Sequence, residues 1–274
     1  VTTTLRPTAP EQRTEDGGRS RSYDVCVNGR RVGTVDLSTH PRFGPRIGRI
    51  AGLAIDERDR HRGRGTVAAL AAEEVLRGWG CERIQVSVPA PARAALQLAS
   101  ALGYTEDSQR LAKTLTTAPR LPADSVARPM SREEFPAWQK AELAQYAEHW
   151  AERGVPRDRA EAKARQDQAA FLPQGPATPG TVLRVLVHRG TDVGTLWLAT
   201  RLDGGGYVLS VAVHAGHRGH GHGRTLMLLA ERESLAAGAR RLALNVFTAN
   251  TVARRLYESL GYRPTSFTLH KALL

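Results

Sequence analysis

Arg218-Gly219-His220-Gly221-His222-Gly223 and Arg60-His61-Arg62-Gly63-Arg64-Gly65 carry one pattern, R-x-x-G-x-G, and each runs into an apolar stretch with helical spacing. Each is also followed by a Leu-Gly-Tyr triplet, Leu102-Gly103-Tyr104 in the first half and Leu260-Gly261-Tyr262 in the second. The distance is the same in both copies: 40 residues separate Gly63 from Gly103 and Gly221 from Gly261. Gap-free agreement over that length marks an internal duplication.

Working outward, each loop is preceded by a strand, Ile47 to Ile55 or Tyr207 to Val213, and that strand by a hairpin turned at Asn28-Gly29 or Arg189-Gly190. Between loop and triplet the pattern predicts helix, strand and helix. These are 66–79, 83–88 and 93–101 in the first copy, and 225–237, 241–247 and 251–259 in the second. Each copy ends in a strand, near 110–115 and 266–273. The fold class is therefore α/β with a mixed sheet flanked by helices, built twice. The expected domains are 1–118 and 126–274, joined by a Pro-containing linker at 119–125. The copies differ at their starts. The first has a short polar stretch from Ala9 to Arg21, and the second a helical insert opened by the capping box Ser131-x-x-Glu134, with helices through Arg153 and over 156–171.

A glycine-rich turn between strand and helix lets backbone amides close on a phosphate, and the helix N-terminus adds partial positive charge. With that loop, and with the run Asn245-Val246-Phe247-Thr248-Ala249-Asn250-Thr251-Val252-Ala253-Arg254-Arg255-Leu256-Tyr257-Glu258-Ser259-Leu260-Gly261-Tyr262, the chain resembles the GCN5-related N-acetyltransferase (GNAT) superfamily. The resemblance covers most of both halves. It implies acetyl-CoA as co-substrate, its pantetheine arm held by backbone amides at Val211, Ala212 and Val213. It implies the pyrophosphate on Arg218, Gly219, His220, Gly221, His222, Gly223 and Arg224, and a cofactor-arm contact from Asn250, which can equally be an ordinary helix cap. Tyr257 stands where family members protonate the departing sulfur, and a phenol of pKa about 10 keeps its proton near neutrality. The first copy has Ala92 and Ala99 at the asparagine and tyrosine positions. It is expected to be non-catalytic, with a second CoA on its arginine-rich loop as the alternative to a structural role.

The strand Tyr207 to Val213 holds none of the carboxylates that many family members use as general base. His214, His217, His220 and His222 lie nearby, and Glu134, Glu142, Glu148 and Glu152 of the insert could line an acceptor groove. Tyr146 and Trp150 share a helical stripe expected to be core. No metal is expected, since a metal would compete with phosphate for the loop histidines. The net charge of +12 is shared between the halves, 18 basic against 13 acidic residues in 1–118 and 21 against 14 after it, so no basic tail stands out. Aromatic residues at 5% and the absence of DNA-binding motifs argue against a nucleic-acid partner. Two cysteines in no ligand spacing and no apolar run of membrane-spanning length suit a cytoplasmic enzyme without a membrane partner. The activity implied is acetyl transfer from acetyl-CoA to a primary amine of a small molecule, by direct attack in a ternary complex. A peptide or protein amine and a non-catalytic acyl-CoA-binding or regulatory role are the alternatives. The two-copy architecture also resembles that of mycothiol synthase, whose second copy carries the acetylation.

Overall fold

The computed structural model describes residues 2–41, 43–151, 155–202 and 204–273. Glu152 and Arg153 of the insert lie outside the described residues. The first repeat begins with β1 (Thr3–Pro7) and β2 (Gln12–Arg13), followed by β3 (Arg19–Val27), β4 (Arg30–His40) and β5 (Gly44–Ile55). It continues through α1 (Arg64–Gly78), β6 (Arg83–Pro89), α2 (Arg93–Ala101) and β7 (Thr105–Thr114). After the linker come β8 (Ser125–Pro129), α3 (Phe135–Ala151) and α4 (Arg157–Phe171). The second repeat then runs β9 (Thr181–His188), β10 (Thr191–Leu202), β11 (Gly205–Val213), α5 (His222–Ala236), β12 (Arg241–Phe247), α6 (Thr251–Ser259) and β13 (Arg263–Ala272).

Local chemistry accounts for most of these boundaries. The β3–β4 and β9–β10 hairpins turn on paired positive-φ residues, Asn28 (φ 48°) with Gly29 (φ 82°) and Arg189 (φ 49°) with Gly190 (φ 78°). Two successive left-handed residues match the twist of the flanking strands. The capping box forms as expected: the Ser131 amide donates to Glu134 Oε2 at 2.8 Å, and the Glu134 amide donates to Ser131 Oγ at 3.2 Å. Helices α1 and α5 start two to three residues earlier than their apolar spacing indicates, so Gly65 and Gly223 fall inside the first turn. Glycine is a poor helix former, which hides those starts in the sequence. The polar stretch before the first hairpin contributes β2, paired with β3 at Ser20 and Arg19.

The chain forms two compact units, Val1–Gln109 with Ser266–Leu274, and Arg110–Thr265. In the first unit the strand order is β1-β3-β4-β5-β6-β13, with β5–β6 parallel and β6–β13 antiparallel. In the second the order is β7-β12-β11-β10-β9-β8, with β11–β12 parallel. The repeats of the sequence and the units in space thus part at their last strands. The strand that ends each repeat lies beside the penultimate strand of the other repeat.

The same device fixes each exchanged strand. In the first unit, Lys271 of β13 donates to Glu73 Oε2 of α1 at 2.7 Å and lies 5.6 Å from the Tyr104 ring centroid. In the second, Lys113 of β7 reaches Glu231 of α5 at 2.7 and 2.9 Å and lies 5.7 Å from the Tyr262 ring. Both carboxylates are buried, so each depends on its lysine to offset desolvation. Burial, reinforced by the adjacent Glu73 or Glu231, drives both tyrosine hydroxyls far above their ordinary pKa and keeps them protonated. Leu76, Ile84, Val35 and Leu37 centre the first core, and Leu196, Leu226, Leu242 and Tyr262 the second. A third cluster, Phe135, Trp138, Phe171, Leu183 and Trp197, packs the insert helices on the other face of β10.

Candidate active site

The site of the second unit begins where a strand pair opens. Parallel pairing of β11 with β12 runs Gly206–Leu242, Tyr207–Ala243 and Val208–Leu244 and goes no further. On its other edge β11 stays paired with β10 to its end, Leu196 to Val211, Thr195 to Ala212 and Gly194 to Val213, with an irregularity between Trp197 and Leu198. Gly194 permits the close approach there, because a Cβ on it would lie 2.4 Å from the Ala212 carbonyl oxygen. Val211, Ala212 and Val213 are thereby held from one side and free of the β12 ladder on the other. That edge offers backbone donors and acceptors to an extended ligand.

The chain leaves β11 through a short 3₁₀ turn, Ala215–His217, into the glycine loop. Gly219 (φ 80°) and Gly221 (φ 84°) are left-handed, and Gly221 is the N-cap of α5. The first α5 turn, His222, Gly223 and Arg224, therefore carries amides that an α-helix cannot satisfy internally, at the positive end of its dipole. Gly223 has a packing reason: a Cβ there would sit 3.3 Å from Leu256 Cδ2 of α6. Arg218, Gly219, His220, Gly221 and Arg224 are exposed. Arg218 Nε donates to the Val213 carbonyl at 3.4 Å and Arg224 Nη2 to Ser259 Oγ at 2.6 Å, which ties the loop to β11 and α6.

Asn250 caps α6, its Oδ1 accepting from the Ala253 amide at 3.1 Å. Tyr257, on the inner face of the second turn of α6, packs with the second core, its ring 6.1 Å from that of Tyr262. Burial pushes its pKa above the ordinary phenol value, so it holds a transferable proton throughout the neutral range.

The loop histidines form a cluster with His188 of β9. Ring centroids lie 4.9 Å apart for His188 and His222, 6.3 Å for His217 and His222, and 6.2 Å for His220 and His222. Among the described residues no group of three or more His, Cys, Asp or Glu is placed to hold a metal ion. His222 is buried, and its pKa is lowered first by desolvation and then by repulsion from His188, His217 and His220. The folded state therefore binds fewer protons here than the unfolded chain. This contribution to stability is complete above about pH 6.5 and is lost as pH falls through the lower folded pKa. The melting temperature of the wild type should fall more steeply than that of His222→Gln below pH 6.5. Parallel pH profiles of the two would refute this.

The first unit has the same opening, β5–β6 pairing ending at Arg49–Gln85, and the same left-handed N-cap, Gly63 (φ 71°). Its loop chemistry differs. Asp59, buried, stands at the His217 position and Arg64 at the His222 position, and the two form an ion pair. Arg30 adds two hydrogen bonds to Asp59 at 3.0 and 2.7 Å, whereas Arg60 repeats the contact of Arg218, its Nε donating to the Ile55 carbonyl at 2.9 Å. Ala92 gives α2 no side-chain cap, and Ala99 is buried in the core.

Of the acidic residues noted in the insert sequence, the structure separates the three that it describes, Glu134, Glu142 and Glu148. Glu134 belongs to its capping box and to Arg128, whose guanidinium holds it down to about 2. Glu148 pairs with Arg157 at 3.6 Å. Glu142 instead lies at the site strand, its Oε1 accepting from Ser210 Oγ of β11 at 2.9 Å. Nothing in the sequence singles Glu142 out of its helix, because Ser210 is 68 residues away. Tyr146, expected in the core, is partly exposed and donates to Asp167 at 2.8 Å, while Trp150 packs with Ala147 and Ala160.

A strand opening and a glycine loop capping a helix, both present twice, with a following helix that carries Asn250 and Tyr257 in the second copy, define an acyltransferase fold. The model of the Acetyltransferase (GNAT) family matches the chain twice, over residues 2–104 and 143–262, and the chain belongs to that family as a tandem member. It is 32% identical to a mycothiol acetyltransferase of Thermobispora bispora over 73% of this chain and 68% of that protein. It is 29% identical to the uncharacterized N-acetyltransferase YycN of Bacillus subtilis over 53% of this chain and 96% of that one. A tandem GNAT protein from the clavulanic acid biosynthesis pathway shares the fold, with a TM-score of 0.52, 20% identity, and coverage of 93% of this chain and 83% of that one. The protein is thus an N-acetyltransferase of the GNAT class. Among the described residues, no helix is long and apolar enough to cross a membrane.

Proposed function

We propose that residues 126–274 carry catalysis, transferring the acetyl group of acetyl-CoA to a primary amine of a small molecule by direct attack in a ternary complex, with residues 1–118 as a non-catalytic partner. The observation that carries this reading is the end of β11–β12 pairing at Val208, immediately before the loop capped by Gly221. The pantetheine arm extends along Val211 to Val213, the pyrophosphate meets the first turn of α5, and a backbone amide polarises the thioester carbonyl. The neutral amine attacks, the C–N bond forms and the C–S bond breaks. Tyr257 gives its proton to sulfur and is reprotonated by the proton that nitrogen loses on becoming an amide. Neither cysteine supports an acyl-enzyme, as Cys26 and Cys81 are buried in the first unit, and their free thiols suit a reducing cytoplasm. Commitment of Arg64 to Asp59 supports one acetyl-CoA per chain rather than two.

Release of CoA is to be followed with benzylamine, spermidine, glucosamine and Nα-acetyllysine as acceptors, with a peptide N-terminus testing the protein-amine alternative. Initial velocities should intersect in double-reciprocal plots, and Tyr257→Phe should lower kcat on the order of 100-fold with acetyl-CoA affinity unchanged. Parallel lines would remove the ternary complex. An unchanged kcat would remove Tyr257 as the acid.

A further inference from the structure

The site strand lacks a carboxylate, and α3 brings one to it. Ser210 pairs with Trp197 across the β10–β11 ladder, so both side chains stand on the face covered by the insert. Trp138 of α3 lies on that face, its ring 5.5 Å from Trp197, and Glu142 follows one helical turn later. Its Oε1 accepts from Ser210 Oγ. Ser210 itself is two residues beyond the last β11–β12 pair and one before Val211, beside the backbone to which the acetyl group is assigned above.

Glu142 differs from Glu148, Glu161 and Asp167 of the insert helices, each of which is paired with a cation. Among the described residues it makes no ion pair, and Oε2 makes no hydrogen bond. The neighbouring charged groups are otherwise engaged: Lys163 and Asp167 of α4 pair with each other, Tyr146 donates to Asp167, and the His149 ring lies 3.7 Å from that of Phe247. Burial raises the Glu142 pKa, against a smaller lowering by the Ser210 hydroxyl. A carboxylate made a stronger base at a cost to stability is the signature of a functional group.

We propose that Glu142 is the general base, held by Ser210, that takes a proton from the incoming ammonium. The ammonium N–H bond breaks, its proton goes to Oε2, and the freed lone pair attacks the thioester. Glu142 then returns the proton to solvent when product leaves. This rests on the acetyl-CoA site described above.

The test is Glu142→Gln, which keeps an oxygen for Ser210 and removes the base. Acetyl-CoA binding by calorimetry reports on the site, and CoA release with the four amines above reports on the base. The expected result is unchanged acetyl-CoA affinity, kcat lower on the order of 100-fold, and loss of the acidic limb of the pH–rate profile. Melting temperature at pH 7 to 8 should match or exceed that of the wild type, because a raised carboxyl pKa removes stability as pH rises through it. Retention of the acidic limb and of kcat would overturn the proposal. So would a Glu142 carboxyl carbon that titrates near 4.3 by ¹³C NMR in the acetyl-CoA complex, a readout that needs no acceptor. Failure of the wild type to bind acetyl-CoA would instead overturn the site.

Discussion

Gly221→Glu should weaken acetyl-CoA binding on the order of 100-fold or more, whereas Gly63→Glu should leave it unchanged. Gly221 holds φ 84° as the N-cap of α5, a conformation that costs an L-residue roughly 1–2 kcal/mol. No atom within 4 Å blocks a Cβ there, so the glutamate is accommodated with strain rather than refused. Its carboxylate then stands before the amides of His222 to Arg224, where it caps the helix itself and repels a diphosphate. Gly63 has the same φ sign and the same open surroundings, so the strain is matched and only the ligand differs. Calorimetry on both variants, with melting curves to verify folding, separates the units. Equal binding by both would displace the cofactor from the second loop, and loss in both would assign acetyl-CoA to each.

Removal of residues 263–274 should unfold the first unit, although the deletion lies at the far end of the chain. Phe267, Leu269 and Leu273 pack on the first core, and burial of each such side chain is worth about 1.5–3 kcal/mol. Losing Lys271 leaves Glu73 buried and unpaired, at about 3 kcal/mol more. The total approaches the whole stability of an ordinary domain, about 5–15 kcal/mol. β6 would also lose the antiparallel partner that now spans Arg83 to Pro89. Limited proteolysis is the direct check, with cleavage expected first within residues 1–109. A truncated chain whose first unit resists protease as the full chain does would show that β13 is dispensable there.

Much of this site was legible because its parts are local. The left-handed glycines, the Asn250 cap and the strand–loop–helix order all follow from residues a few positions apart. The same locality explains why the first copy reads as the poorer site: Ala92 and Ala99 are visible substitutions. What the sequence could not distinguish was the use made of loops that look alike. Arg64 appears as one more phosphate ligand until the fold brings Asp59 beneath it. Glu142 appears as one acid among four until α3 is laid across β11.

By itself, then, the sequence determined the duplication, the turns, the helix ends other than the starts of α1 and α5, and the family to which both halves belong, since each depends on backbone preferences and spacing within some 40 residues. Tertiary structure decided which sheet each closing strand joins. The alternation along β7 and β13 specifies which face is buried and not which edge is paired, and two similar sheets offer two similar edges. Lys113 with Glu231 and Lys271 with Glu73 hold each strand where it lies, and because the same pair recurs in both units it does not choose between them. Tertiary structure also decided the base. A carboxylate acquires that role from the hydroxyl it meets and the water and cations it is kept from, and for Glu142 those are set by a strand 68 residues further along the chain.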